Sequence, residues 1–175
     1  MLQQKLKTGI RDVADFPKPG ILFKDITPIL HNPQLCDEIV DVFSKYCADK
    51  NINAIVGVES RGFLFGFALA NKLNIPFVLV RKAGKLPYKT ISYEYDLEYG
   101  SAKVEMQIDE IQPGWNVMIH DDLLATGGTA EAAAKLIQMQ NGNVAGFAFV
   151  VELEFLKGKE RLNQYSENII SLVNY

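Results

Sequence analysis

The sequence predicts an α/β protein with a parallel-sheet core flanked by helices, and three observations carry that prediction. Four short apolar runs, Ala54 to Glu59, Pro76 to Arg81, Asn116 to His120 and Val144 to Val151, have the length and β-branched content of buried strands. Helix-patterned stretches fall between them in the rhythm of parallel strand, crossover and strand. The 175 residues, 48% apolar and 22% charged, supply one sizeable core and not two, so a single domain over 1–175 is expected.

Leu2, Leu6, Ile10 and Val13 recur at three- and four-residue spacing, which predicts an amphipathic helix ending before Phe16-Pro17-Lys18-Pro19-Gly20. After ILFKDITPIL, Asn32 and Pro33 supply a cap and a first-turn proline, and Leu35, Ile39, Phe43, Tyr46 and Cys47 mark the buried face of a helix running to about Lys50. The Ala54 strand, the helix GFLFGFALANKL and the Pro76 strand follow. From Lys82 to about Ile108 a glycine- and tyrosine-rich connection leads into strict alternation of Ala102, Val104, Met106 and Ile108 with polar residues, which predicts a mobile hairpin or flap. The Asn116 strand, a loop, an alanine-rich helix from Thr129 to about Gln140 and the Val144 strand come next. Beyond the charged run LKGKERL, the stretch IISLV predicts an edge strand.

Composition excludes several functions. Lysine and arginine number 18 against 21 aspartate and glutamate, and a net charge of -3 has the wrong sign for coating nucleic acid or anionic lipid. Apolar runs fall short of the roughly 20 residues of a membrane-spanning helix, and MLQQKLKTGIRD lacks the continuous apolar stretch of a secretory leader. Cys36 and Cys47, about 16 Å apart along one predicted helix at 1.5 Å rise per residue, are too distant to bridge. Two reduced thiols and no leader give a cytosolic, cytoplasmic expectation. With only His31 and His120, a protein-built zinc site is not expected.

The chemistry concentrates in MIHDDLLATGGTAEAAAKL, residues 118–136. A buried strand emits two adjacent carboxylates, a glycine turn follows, and a helix starts at Thr129. Helix amino termini carry unpaired N–H groups and partial positive charge, so Gly127 and Gly128 would let a phosphate approach them, with Thr126 and Thr129 adding hydroxyls. Asp121 and Asp122, at the carboxyl end of the strand, stand where a sugar's vicinal hydroxyls need acceptors. A lone aspartate there would more simply be a solvated loop residue or a cap; the whole run points to phosphate plus ribose. Residues 57–62 have Walker-loop glycine spacing but continue into Phe63 where lysine is required, and no GxGxxG follows a strand.

This run resembles the signature with which phosphoribosyltransferases bind 5-phosphoribosyl 1-pyrophosphate. PKPGILFKDITP, VESRGFLFG, RKAGKLPYKT and YDLEYGSAKVEMQ resemble, in the same order, the corresponding stretches of adenine phosphoribosyltransferases, so the resemblance spans Phe16 to Leu156. It implies the type I phosphoribosyltransferase fold, with a small hood over about 1–33 and a flexible flap over about 82–108. It also implies transfer of phosphoribose to N9 of adenine, giving AMP and pyrophosphate, with Mg2+ arriving on the pyrophosphate and no metal held directly by the protein. Ala125, Thr126, Gly127, Gly128 and Thr129 would bind the 5′-phosphate, and Asp121 and Asp122 the ribose. Charge building on the leaving group calls for cations, and Arg61, Arg81, Lys82 and Lys85 are the candidates, with the turn at Ser60 presenting backbone to the pyrophosphate. Glu98 matches the family's proposed general acid/base, with Arg61 the second catalytic candidate; outside the family, a carboxylate on a charged hairpin is simply solvated. Leu22, Phe23 and Lys24 would hold adenine, Phe23 by stacking, although a core role suits Phe23 equally. Tyr88, Tyr93, Tyr95 and Tyr99 either cover the closed site or form cross-strand pairs. Lys24 stands where the family has arginine, and His120 where an apolar residue is usual. The partners implied are adenine and the activated ribose, with no nucleic acid and no membrane, and a homodimer in which Phe63, Phe65 and Phe67 serve an interface or the core. A same-fold transferase for xanthine or hypoxanthine and a donor-binding regulatory protein are the alternatives.

Overall fold

The alternation of strand and helix builds a seven-stranded sheet whose middle is parallel. The computed structural model describes residues 1–96 and 100–175. Strands β3 (Ala54–Val58), β4 (Phe77–Lys82), β7 (Asn116–Leu124), β8 (Asn143–Glu152) and β9 (Ile169–Asn174) pair in parallel, and the hairpin of β5 (Thr90–Asp96) and β6 (Ser101–Gln107) adds antiparallel through β6 to β4. The order is β5-β6-β4-β3-β7-β8-β9. Helices cover both faces, which explains why β3 is buried at every position. On one face Val56, Val58, Val117 and Ile119 pack with Ala133, Leu136 and Ile137 of α4 (Gly128–Met139). On the other, Ile55, Met118 and Ala148 meet Ile39 and Phe43 of α2 (Pro33–Cys47), and Phe65 and Leu69 of α3 (Gly62–Leu73). The predicted cap of α2 is in place: Asn32 Oδ1 accepts from the Leu35 N–H at 3.1 Å.

Two expectations are corrected. The first helix, α1 (Leu2–Gly9), stops four residues before Val13 because Ile10 turns extended at φ -77°, ψ 130°. Arg11–Ala14 forms β1, antiparallel to β2 (Leu22–Asp25), with Val13 opposite Phe23. The apolar spacing mimicked a helix, but the ribbon satisfies these backbone groups through a partner ten residues away that no local period reveals. Strand β7 also runs past His120 through both aspartates to Leu124, since β8 continues beside it to Glu152. The charged tail contains a short helix, α5 (Gly158–Leu162), and IISLV forms the predicted edge strand as β9.

Candidate active site

Strands β3 and β7 lie side by side, Gly57 beside His120, while their crossovers lead to opposite sides of the sheet. Their carboxyl ends therefore form the switch point where open α/β sheets bind ligands. A cleft of about 440 Å³ opens there and gathers Ser60, Arg61, Arg81, Lys82, Lys85, Asp121, Asp122 and Thr129. A smaller cavity of about 80 Å³ adjoins it through Asp121, Leu123 and Thr129 and is walled by Ala125, Thr126, Gly127 and Gly128. Phosphate, ribose and pyrophosphate candidates thus line two cavities that share Asp121, Leu123 and Thr129.

The cradle is built as its glycines suggest. Gly127 sits in the left-handed region at φ 82°, and α4 begins at the next residue with no side chain capping it, so its first N–H groups face the small cavity's side without a competing oxygen. A Cβ on Gly127 would stand 2.9 Å from the Gly158 carbonyl oxygen, and one on Gly158 would stand 2.3 Å from the Ala125 carbonyl oxygen. Two backbones touch where only glycine permits it. Gly158 escaped the sequence reading because it lies 30 residues away inside a charged run; nothing local marks a close approach.

Beside the cradle, Asp121 and Asp122 differ in surroundings. Asp122 is 4% exposed and accepts from Arg61 Nε at 2.5 Å. Burial, and then the neighbouring Asp122 charge, push the Asp121 carboxyl well above the usual carboxylate range. Gly62 lets the start of α3 approach this pair: a Cβ there would meet the His120 carbonyl oxygen at 2.8 Å and Asp121 Oδ1 at 3.0 Å.

The cation rim contains a carboxylate that sequence reasoning overlooked. Glu59 Oε1 accepts from Lys85 Nζ at 2.7 Å and Arg81 Nη2 at 3.3 Å, while Oε2 accepts from the Lys82 N–H at 2.8 Å. Burial alone would raise this carboxyl, but those donors outweigh it and hold it at about 2. An arriving anion therefore competes with Glu59 for Arg81 and Lys85, whereas the Lys82 side chain is exposed. Arg81 Nε is buried without a hydrogen-bond partner among the described residues. The Glu59–Ser60 peptide is cis.

The segment expected to hold the base, Leu22, Phe23 and Lys24, forms β2. Leu22 is half exposed, and the Phe23 ring receives the Arg61 guanidinium, Cζ lying 5.1 Å from its centroid. Arg61 thus joins Phe23 to Asp122. Phe16 packs edge-to-face on Phe23 at 5.1 Å. Lys24 turns its side chain away, into a 2.6 Å ion pair with Asp12, with its Nζ 3.9 Å from the Tyr175 ring centroid. It anchors β2 rather than facing the cleft. Glu98 and Tyr99 lie outside the described residues.

His120 is fully buried, edge-to-face on Phe43 at 5.3 Å, and neither ring nitrogen has a hydrogen-bond partner of good geometry among the described residues. Desolvation, partly offset by Asp122 and the Ala148 backbone, lowers it to about 4. The unfolded chain, with histidine near its ordinary 6.5, binds the extra proton between those values. Its contribution is therefore fully present above about pH 6.5 and is lost as pH falls toward 4, at up to about 1.4 kcal/mol per pH unit. Asp121, with its raised carboxyl, acts in the opposite sense, so the variant isolates the effect. Urea midpoints of wild type and His120→Leu measured from pH 7 to 4.5 should diverge, wild type falling more steeply; parallel curves would contradict the assignment.

Comparison with known proteins places these features in a family. The phosphoribosyl transferase domain model matches residues 25–166. The chain is 51% identical over 175 residues to the adenine phosphoribosyltransferase of Cytophaga hutchinsonii, covering 100% of this chain and 97% of that one. It superposes on the adenine phosphoribosyltransferase of Thermoanaerobacter pseudethanolicus with a TM-score of 0.95 at 45% identity, covering 100% of both chains. The Saccharomyces cerevisiae adenine phosphoribosyltransferase, solved in complex with adenine and an imino-altritol bisphosphate, gives 0.91 at 43% identity and 98% coverage of both chains.

Proposed function

The chain belongs to the phosphoribosyltransferase family, and from that premise we infer that its cleft transfers the phosphoribosyl group of 5-phosphoribosyl 1-pyrophosphate to N9 of adenine, giving AMP and pyrophosphate. The observation that carries this reading is the pair of cavities that meet at Asp121: one walled by the uncapped start of α4, the other by a cluster of cations. Together those groups suit a 5′-phosphate, a ribose diol and a pyrophosphate.

As the C1–pyrophosphate bond breaks, positive charge grows on the ribose and negative charge on the leaving group. The Asp121–Asp122 pair sits beside the first, and Arg61, Arg81 and Lys85 beside the second. Arg61 also touches Phe23, so one side chain spans the base and the reacting centre. Glu98 is assigned the proton exchange with adenine's imidazole ring. Mg2+ carried in by pyrophosphate would keep its waters and spread the leaving group's charge, with Asp121 and Asp122 reaching it through those waters at most. The test is nucleotide formation from the donor, Mg2+ and, separately, adenine, hypoxanthine, guanine and xanthine, with Glu98→Ala alongside. AMP from adenine alone, reduced by about 10²- to 10⁴-fold in the variant, is expected; product from another base would overturn the assignment of substrate.

We assign the same protein to the cytosol, in keeping with its two unpaired thiols, Cys36 and Cys47; among the described residues no helix is long and apolar enough to cross a membrane. A homodimer through the outer face of α3 accounts for Phe67 and Leu64, 58% and 45% exposed, whereas Phe65 belongs to the core at 3%. Light scattering should give twice the chain mass, falling toward one chain mass in Phe67→Glu.

A further inference from the structure

The outer strand of the flap is docked on the phosphate cradle. Tyr95, on β5, places its hydroxyl 3.0 Å from Thr129 Oγ1 in the first turn of α4. Two carbons of its ring lie 3.5 Å from the point where a Cβ on Gly128 would stand, so the ring rests over Gly128 at van der Waals distance. Thr129 borders both the large cleft and the small cavity. Its hydroxyl therefore stands between the flap and the space for a phosphate.

A threonine hydroxyl has one proton to give and lone pairs to accept with, and a phenol has one proton. If the Thr129 proton goes to a phosphate oxygen, the short contact with Tyr95 survives only with Tyr95 donating. The chain then runs from the Tyr95 O–H to Thr129 Oγ1, and from the Thr129 O–H to the phosphate, each bond polarising the next. The opposite orientation, Thr129 donating to Tyr95, would turn the proton away from the cavity and make flap and phosphate rivals. The anionic ligand decides between them, because a charge-assisted hydrogen bond is about twice as strong as a neutral one.

We propose that Tyr95 is a positioning residue that orients the Thr129 hydroxyl as a donor to the 5′-phosphate, so that the flap strand and the filled cradle stabilise one another. This rests on the cradle being the phosphate seat. Tyr95 acts through Thr129 and needs no contact with the reacting atoms.

The experiment is calorimetric titration of ribose 5-phosphate, and separately of magnesium pyrophosphate, into wild type, Tyr95→Phe, Thr129→Val and the double variant. Tyr95→Phe keeps the ring on Gly128 and removes only the hydroxyl. It should weaken ribose 5-phosphate by roughly fivefold and leave pyrophosphate, whose candidate partners Arg81 and Lys85 make no hydrogen bond to Tyr95 or Thr129 among the described residues, within twofold. The double variant should bind ribose 5-phosphate no more weakly than Thr129→Val, because the Tyr95 hydroxyl has nothing left to orient. Unchanged or tighter ribose 5-phosphate binding in Tyr95→Phe, additive losses in the double variant, or equal losses of both ligands would overturn the proposal. Failure of the wild type to bind ribose 5-phosphate would overturn the cradle reading itself, a result distinct from any of these.

Discussion

Arg61→Ala is expected to lower kcat/KM for adenine and the ribose donor by about 10²- to 10³-fold, the loss that follows removal of one donor aimed at developing charge. The size of the effect follows from how many parts of the cleft meet at this side chain. Arg61 directly precedes α3, donates through Nε to the nearly buried Asp122, and lays its guanidinium over Phe23. Removing it strips positive charge from the path of the leaving group, leaves the Asp122 carboxylate without its cation, and frees Phe23. Arg61→Lys should recover only part of the rate, since an ammonium restores charge but not the planar fork that reaches Asp122 and covers a ring together. Steady-state kinetics for both substrates, with circular dichroism to confirm folding, provide the check. A folded Arg61→Ala variant within threefold of wild type would remove Arg61 from the catalytic assignment.

The second large effect is expected at a residue with no chemistry of its own. Gly158→Ala places a Cβ 2.3 Å from the Ala125 carbonyl oxygen and 2.8 Å from the Leu124 side chain. Backbone cannot yield there as a flexible side chain would, so the phosphate loop must shift. Overpacking of this kind costs about 1–3 kcal/mol, and a loop displaced by an ångström should weaken ribose 5-phosphate on the order of 10- to 100-fold. Urea unfolding and titration of ribose 5-phosphate measure the two parts. Pyrophosphate affinity should change far less, because the Arg81 and Lys85 rim belongs to β4 and its following loop.

What the sequence revealed about this site divides along the distance over which each contact acts. The run from Asp121 to Thr129 was legible because strand, carboxylates, glycine turn and helix start are all local, and each leaves its mark on consecutive residues. The hood was not: Val13 keeps helical spacing with Ile10, yet pairing with β2 decides its conformation. Lys24 sat in a segment that pointed to the base, but the side chain's direction is fixed by Asp12 and by Tyr175 at the far edge of the sheet. Glu59 was visible as a letter in VESRG; its hold on Arg81 and Lys85 depends on β3 and β4 ending together. Gly158 belongs to the same class. His120 was marked as a departure from the pattern and is a core residue, accommodated by the small Gly66, where a Cβ would come 3.3 Å from its ring.

The ion pair and ring contact that fix Lys24 also tie the two ends of the chain together. Lys7 and Lys24 both lie over the Tyr175 ring, and Leu6 shares a buried cluster with Val173, so the hood docks on the last strand of the sheet, roughly 150 residues along the chain. Phe23 sits on the same short strand as Lys24, so the wall beside the base is tethered to the carboxyl terminus, whereas the cradle is built from β7 and α4 in the middle of the chain. Shortening the chain at Tyr175 should therefore loosen the base side of the cleft and spare its phosphate side.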